Sequence, residues 1–147
     1  MMRRLLLLLV VAALGGAAWV RLAPLEGPAW HVDPDQVQPP DRPNHALLRS
    51  GSVVYPIPPE TLAAAVDDIA MADPRTRLLA GSVAEGHMTY VARSRIWGFP
   101  DLVTVRVVPH PDGATLAVFS RARFGRSDMG VNQARLDGWL RQLPEPL

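Results

Sequence analysis

Apolar residues along this chain fall into three regimes. From Leu5 to Val20 no polar side chain interrupts them, so the run has no polar face. From Leu22 to Ser50 they are scattered among prolines and acids, and from Gly51 onward they recur at strand and helix periods. Ser52 to Ile57 reads as a strand ended by Pro58-Pro59. Pro59 suits a first helical position, and Leu62, Ala65, Val66 and Ile69 follow at helical spacing until Asp73-Pro74. Four strand-like stretches come next: Arg77 to Ala84, His87 to Trp97, Leu102 to Val108 and Thr115 to Phe124. Glu85-Gly86, Gly98 with Pro100, and Pro109 to Gly113 separate them as turns. A helix is predicted from Ser127 to Leu143, with Met129, Leu136, Trp139, Leu140 and Leu143 on its core stripe. Short connections favour antiparallel pairing. The order predicts an α+β domain: a curved antiparallel sheet of about five strands, a helix after the first strand and a long C-terminal helix, with both helices on one face.

The apolar run at the start follows Arg3 and Arg4, the pattern of a membrane anchor or a secretory signal. Its 16 residues make a helix about 24 Å long. A hydrocarbon core is about 30 Å thick, but Arg21 can snorkel and Leu22, Ala23 and Leu25 extend the segment. The small pairs Ala13 with Gly15 and Gly16 with Ala18 would equally suit a signal peptidase. In either case Arg3 and Arg4 keep the N-terminus cytoplasmic and send the remainder across the membrane. The expectation is a domain held by its anchor on the extracytoplasmic, periplasmic side, or secreted to the periplasm after cleavage. Residues 1–25 are thus the anchor or signal, 26–50 a linker and 51–147 a single domain. Pro24, Pro28, Pro34, Pro39, Pro40 and Pro43 favour extended chain over helix, as in a spacer. Trp30 and Val32 are out of place in a pure spacer and point to part of it packing on the domain.

Composition narrows the chemistry. With no cysteine there is no disulfide scaffold, thiol nucleophile or zinc–thiolate site. All 15 basic residues are arginine, which removes lysine chemistry and the P-loop. A formal charge of +1 gives no reason to expect nucleic acid. The charge is uneven, however. Residues 26–73 hold eight acids and two arginines, whereas 74–147 hold six acids and ten arginines.

The densest polar stretch runs from Ser120 to Asn132, from the last strand into the last helix. On a strand Arg121 and Arg123 share one face, while Leu116, Val118, Ala122 and Phe124 point to the other. Gly125 permits a turn, Ser127 suits a helix cap, and Asp128 complements the helix N-terminus. Asn132 lies four residues before Leu136 on the buried stripe, where an amide needs partners, and Arg135 sits at its rim. Two readings stand. Arg121, Arg123, Arg126, Asp128, Asn132 and Arg135 gather around a phosphate or carboxylate ligand. Alternatively, the arginines bracket Asp128 and Asn132 ties helix to sheet, a purely structural arrangement.

This stretch resembles the signature of the domain-of-unknown-function 1499 family, an uncharacterised group of bacterial envelopes and plant plastids. That signature is similar to Arg-Ser-Arg-Ser-Arg-Val-Gly-Arg-Ser-Asp-Leu-Gly-Val-Asn. Ser120, Arg121, Arg123, Gly125, Arg126, Ser127, Asp128, Gly130, Val131 and Asn132 fit it, while Phe119 and Ala122 depart from it. Gly98-Phe99-Pro100-Asp101 and Pro43-Asn44 fit as well; His45 stands where many relatives carry cysteine. The resemblance spans roughly residues 40–143 and implies no particular reaction. The element order is also similar to a reduced helix-grip domain, with Pro58-Pro59-Glu60-Thr61-Leu62 as its opening. That likeness implies an apolar cavity for a lipid, with Arg121 or Arg123 near its polar head.

Other polar groups add little. His31, Asp33 and Asp35 have a loose metal-ligand spacing without a fixed scaffold, so no metal or other cofactor is expected. Asp67 and Asp68 diverge by about 100° on a helix and make a poor acid–base couple. The leading expectation is a membrane-tethered, non-catalytic module for an amphipathic or anionic ligand. The rivals are an assembly module that binds another envelope protein through its arginine face, and an envelope hydrolase using Asp128 or a histidine.

Overall fold

The computed structural model describes residues 2–147. Helix α1 runs over Met2–Leu22 and α2 is a single turn, Gly27–Trp30. Strands β1 (His45–Leu48) and β2 (Val54–Tyr55) precede α3 (Pro59–Met71). Then come β3 (Thr76–Ser82), β4 (His87–Arg93), β5 (Pro100–His110), β6 (Gly113–Ala122) and α4 (Val131–Leu140). The result is an α+β fold around one open six-stranded antiparallel sheet, ordered β1-β6-β5-β4-β3, with β2 also pairing to β6.

Alternation along the strands sorts the core. Met88 and Tyr90 of β4, Val103 and Val105 of β5, and Leu116 and Val118 of β6 turn toward the helices. They meet Leu62, Ala63, Val66 and Ala70 of α3 and Leu136 of α4. Pro59 opens α3 at a position whose N–H has no intrahelical partner, and the Leu62 N–H returns to the Pro58 carbonyl at 3.0 Å. Tyr90 brings its hydroxyl out of this core to Asp67 Oδ1 at 2.8 Å; burial first, then Asp67, pushes that phenol far above its usual range.

The opposite face of the sheet is covered too, by the proline-rich segment. Trp30 to Val37 lies across β4, β5 and β6, so that Thr89, Leu102, Thr104 and Arg121 are buried. Its ties are polar. The Asp33 carboxylate pairs with Arg106, the Ser50 N–H donates to Asp35 Oδ1 at 2.9 Å, and Arg49 donates to the Pro34 and Val37 carbonyls. Gly81 leaves room for this cover. Its φ of +77° is a left-handed one, and a Cβ there would strike the His87 carbonyl and approach the His31 ring to 2.7 Å.

Two features of the elements differ from the sequence expectation. A strand at His45–Leu48 lies inside the predicted linker, and the expected Ser52–Ile57 strand shortens to two residues. The last helix begins at Val131, not Ser127, because Met129 (φ 53°) and Gly130 (φ 80°) are both left-handed. Ser127 therefore closes a turn, accepting from the Met129 N–H at 3.2 Å, and Met129 leaves the expected core stripe for solvent.

Candidate functional site

The arginines and polar side chains of the Ser120–Asn132 stretch do not gather on one pocket, because β6 sends alternate side chains to opposite faces of the sheet. Ser120 points to the helix layer. Its hydroxyl donates to Asn132 Oδ1 at 2.5 Å, and Arg135 donates to the same oxygen at 2.8 Å. Asn132, fully buried, gives its amide hydrogens to Asp128 Oδ2 at 2.7 Å and the Asn44 carbonyl at 3.4 Å. Asp128 also accepts from the backbone N–H groups of Asn132 and Gly130, which makes it the side chain that caps α4. Burial alone would push the Asp128 carboxyl up. The bonds from Asn132 and Gly130 outweigh it and hold the group below the usual range. Arg135 completes the cluster on Asp101 at 2.8 Å, where burial drives the Asp101 carboxyl up against the pull of that arginine. This is a closed polar lock between sheet and helix.

Arg121 is on the other face and equally closed in. It donates to the Trp30 carbonyl at 2.6 Å, to Thr104 Oγ1 at 3.1 Å and to the Phe119 carbonyl at 3.1 Å. Its guanidinium also lies 4.5 Å from the Phe119 ring centroid. Burial pushes its pKa down to about 10, so it stays charged at neutral pH. Arg123, one pleat on, reaches past the sheet to the carbonyls of Ala23 and Pro24, just beyond α1. Arg126 remains exposed in the β6–α4 loop.

His31, Asp33 and Asp35 diverge in the same way. His31 shares a hydrogen bond with Thr89, Asp33 pairs with Arg106, and Asp35 serves the Ser50 amide.

An open cavity lies between the β4–β5 and β6–α4 loops. It has a volume of about 600 Å³ and is lined by the apolar Trp97, Phe99, Phe124, Met129 and Val131 together with Asp101 and Asp128. Signature residues thus build one wall and the Gly98–Asp101 segment the other. A model of DUF1499, a protein family of unknown function, matches residues 31–143. The chain belongs to this family. The DUF1499 match starts inside the proline-rich segment, at the residue that follows Trp30 onto the outer face of the sheet. No curated protein matches the chain. The crystal structure of protein MLL2253 from Mesorhizobium loti is similar over 67% of this chain and 92% of its own. Its sequence identity is 14% and its TM-score 0.47, a likeness that bears on neither function nor mechanism.

The cavity adjoins α1. Arg21 donates from Nε to the Trp97 carbonyl at 2.9 Å and from Nη2 to the Ile96 carbonyl at 3.2 Å. Trp19 packs on Phe124 with ring centroids 5.7 Å apart. Helix α1 is long and apolar enough to cross a membrane, and a signal sequence would have the same character. Ile96, Trp97, Phe99 and Met129 all expose apolar surface at this same end. The alternation of β6 was legible in the sequence; the cavity was not, although three aromatics in the loops Trp97–Phe99 and Phe124 are its signal.

Proposed function

We propose that this chain is a membrane-tethered, non-catalytic module on the extracytoplasmic side, binding the apolar part of an amphipathic ligand between its β4–β5 and β6–α4 loops. One observation carries the reading: the apolar cavity of about 600 Å³ opens beside the end of α1. That volume is within the range of pockets that hold small ligands, and Asp101 and Asp128 put polar groups among its apolar walls. A retained α1 would hold the mouth at the bilayer surface, with Arg3 and Arg4 on the cytoplasmic side. Of the six residues singled out in the sequence, Asp128 lines that cavity. Asn132 and Arg135 act by fixing α4, and Arg121 by fixing the cover of the sheet.

The test is native mass spectrometry of the full chain extracted gently from its membrane, beside Val131→Trp, which fills the cavity from an exposed position. The expected result is a lipid-sized adduct on the wild type that V131W loses. A wild-type chain free of adduct, or an adduct that V131W keeps, overturns the proposal.

A further inference from the structure

On the other side of the β4–β5 loop is a second, basic groove. It has a volume of about 420 Å³, and Arg21, Arg75, Arg77, Arg93 and Arg95 line it with Ile96 and Gly98. Arg75 is spoken for: it holds Asp73 through two side-chain bonds, at 2.8 and 3.0 Å. Arg21 and Arg93 spend donors on backbone carbonyls of the loop, Ile96, Trp97 and Gly98. Among the described residues no carboxylate lies within ion-pair distance of Arg21, Arg77, Arg93 or Arg95. Arg77 and Arg95 are exposed, and no hydrogen bond ties up their side chains.

Four guanidinium groups around one groove repel each other. Burial and then the charges of Arg77 and Arg123 lower the Arg93 pKa. Structural needs alone do not call for this arrangement. Two arginines elsewhere do meet acids, Arg106 with Asp33 and Arg135 with Asp101. Guanidinium forks fit phosphate oxygens in pairs, and they do so better than the ammonium of lysine, a residue this chain lacks.

We infer that the groove binds a phosphate group, held by the forks of Arg77 and Arg95 in the field of Arg21 and Arg93. The phosphate belongs either to a lipid headgroup or to a soluble phosphoryl compound. The groove ends at Arg21, the last basic residue of α1, so headgroup phosphates are within reach if α1 spans a bilayer. The site goes beyond the apolar cavity and does not depend on its being filled.

The experiment uses the full chain in a neutral detergent with two probes. Inorganic phosphate is titrated and followed by phosphorus NMR line width. Phosphatidylglycerol and phosphatidylcholine are compared by native mass spectrometry. The variant is Arg77→Glu with Arg95→Glu, and Arg141→Glu, at the exposed C-terminal cap of α4, is the charge control. Phosphatidylglycerol is expected to outbind phosphatidylcholine by about tenfold, with the preference lost in R77E/R95E and kept in R141E. Phosphate binding with neither lipid retained, lost in the same variant, assigns the site to a soluble compound. V131W should keep phosphate binding whatever it does to lipid, which separates failure of the cavity from failure of the groove. Neither probe binding to the wild type, or both binding R77E/R95E within about twofold of it, overturns the inference.

Discussion

The Arg121 guanidinium and the Trp30 carbonyl meet at 2.6 Å, joining the last strand to a segment 91 residues earlier. Trp30 thereby becomes the lid of the sheet's outer face, and Arg121 the group that fastens it. The cation is held by three neutral acceptors and two rings, Trp30 and Phe119. Arg121→Ala removes all of these at once and leaves the Trp30 carbonyl with only Thr104. The expected loss is about 2–4 kcal/mol in urea denaturation. Because a buried cation is costly to desolvate, Arg121→Met should recover about half of that loss. If R121A is as stable as the wild type, the arginine does not fasten the segment.

The lock on the helix side works by mutual satisfaction, and Asn132 is its hub. Asn132→Ala would leave Ser120 and part of Arg135 without an acceptor in the interior, and Asp128 without one donor. An expected loss of about 2–4 kcal/mol follows from stranding several buried polar groups together. Asp128→Asn should cost less, about 1 kcal/mol, since an amide oxygen still accepts from the Asn132 N–H. Denaturation midpoints of the two variants, compared with equal slopes, check the order.

Strand alternation reveals which residues share a face but not what lies over it. The pattern therefore puts Arg121 and Arg123 on one face and is silent on Trp30, which comes from far upstream. The misfit of Trp30 and Val32 in a proline-rich stretch was the available sign. Strand β1 has a weak sequence signal because it is four residues long and sits just after Pro39, Pro40 and Pro43; only its pairing with β6 makes it a strand. Helical periodicity likewise carried Met129 onto the core stripe, since period alone does not register two left-handed residues. By contrast β5 and β6 are long enough to be read as strands, although Leu102–Val108 lengthens to Pro100–His110 and Thr115–Phe124 moves to Gly113–Ala122. The site residues were readable as a polar concentration, but hydrogen-bond closure separates a lock from an open site, and closure is a property of three dimensions.

His31 gives the cover a pH dependence. Burial first, then the neighbouring His87, whose ring stacks on it at 3.8 Å, and against a smaller pull from Glu85, lowers the His31 pKa. The unfolded chain, at about 6.5, then binds a proton more readily than the folded one. Stability is therefore unaffected by His31 above pH 6.5, falls as the pH drops below it, and levels off beneath the lowered folded pKa. Thr89, which shares a bond with His31, carries no charge to offset this. Urea midpoints measured at intervals from pH 8 to pH 5, values chosen around the histidine range, should fall more steeply for the wild type than for His31→Gln. Parallel curves would sink the assignment.

Arg21 and Arg123 hold α1 to the domain from opposite directions, one donating out of the helix and the other donating to the carbonyls just beyond it. Each bond is exposed or partly so, and together they contribute little to global stability. What they restrict is the angle between helix and sheet. Removing both, as Arg21→Ala with Arg123→Ala, should leave the melting temperature within about 3 °C of the wild type. The chain has no native cysteine, so Ala18→Cys and Asp112→Cys give a clean pair of spin-label sites on α1 and on the β5–β6 turn. In nanodiscs, pulsed electron resonance should show one narrow distance distribution for the wild type. In the double alanine variant its width should roughly double, the helix being free to swing about Pro24. A distribution equally broad in both would mean that the two arginines do not set the angle. A narrow one in both would give that role to Trp19 and Phe124, whose rings remain packed when the guanidinium groups are gone.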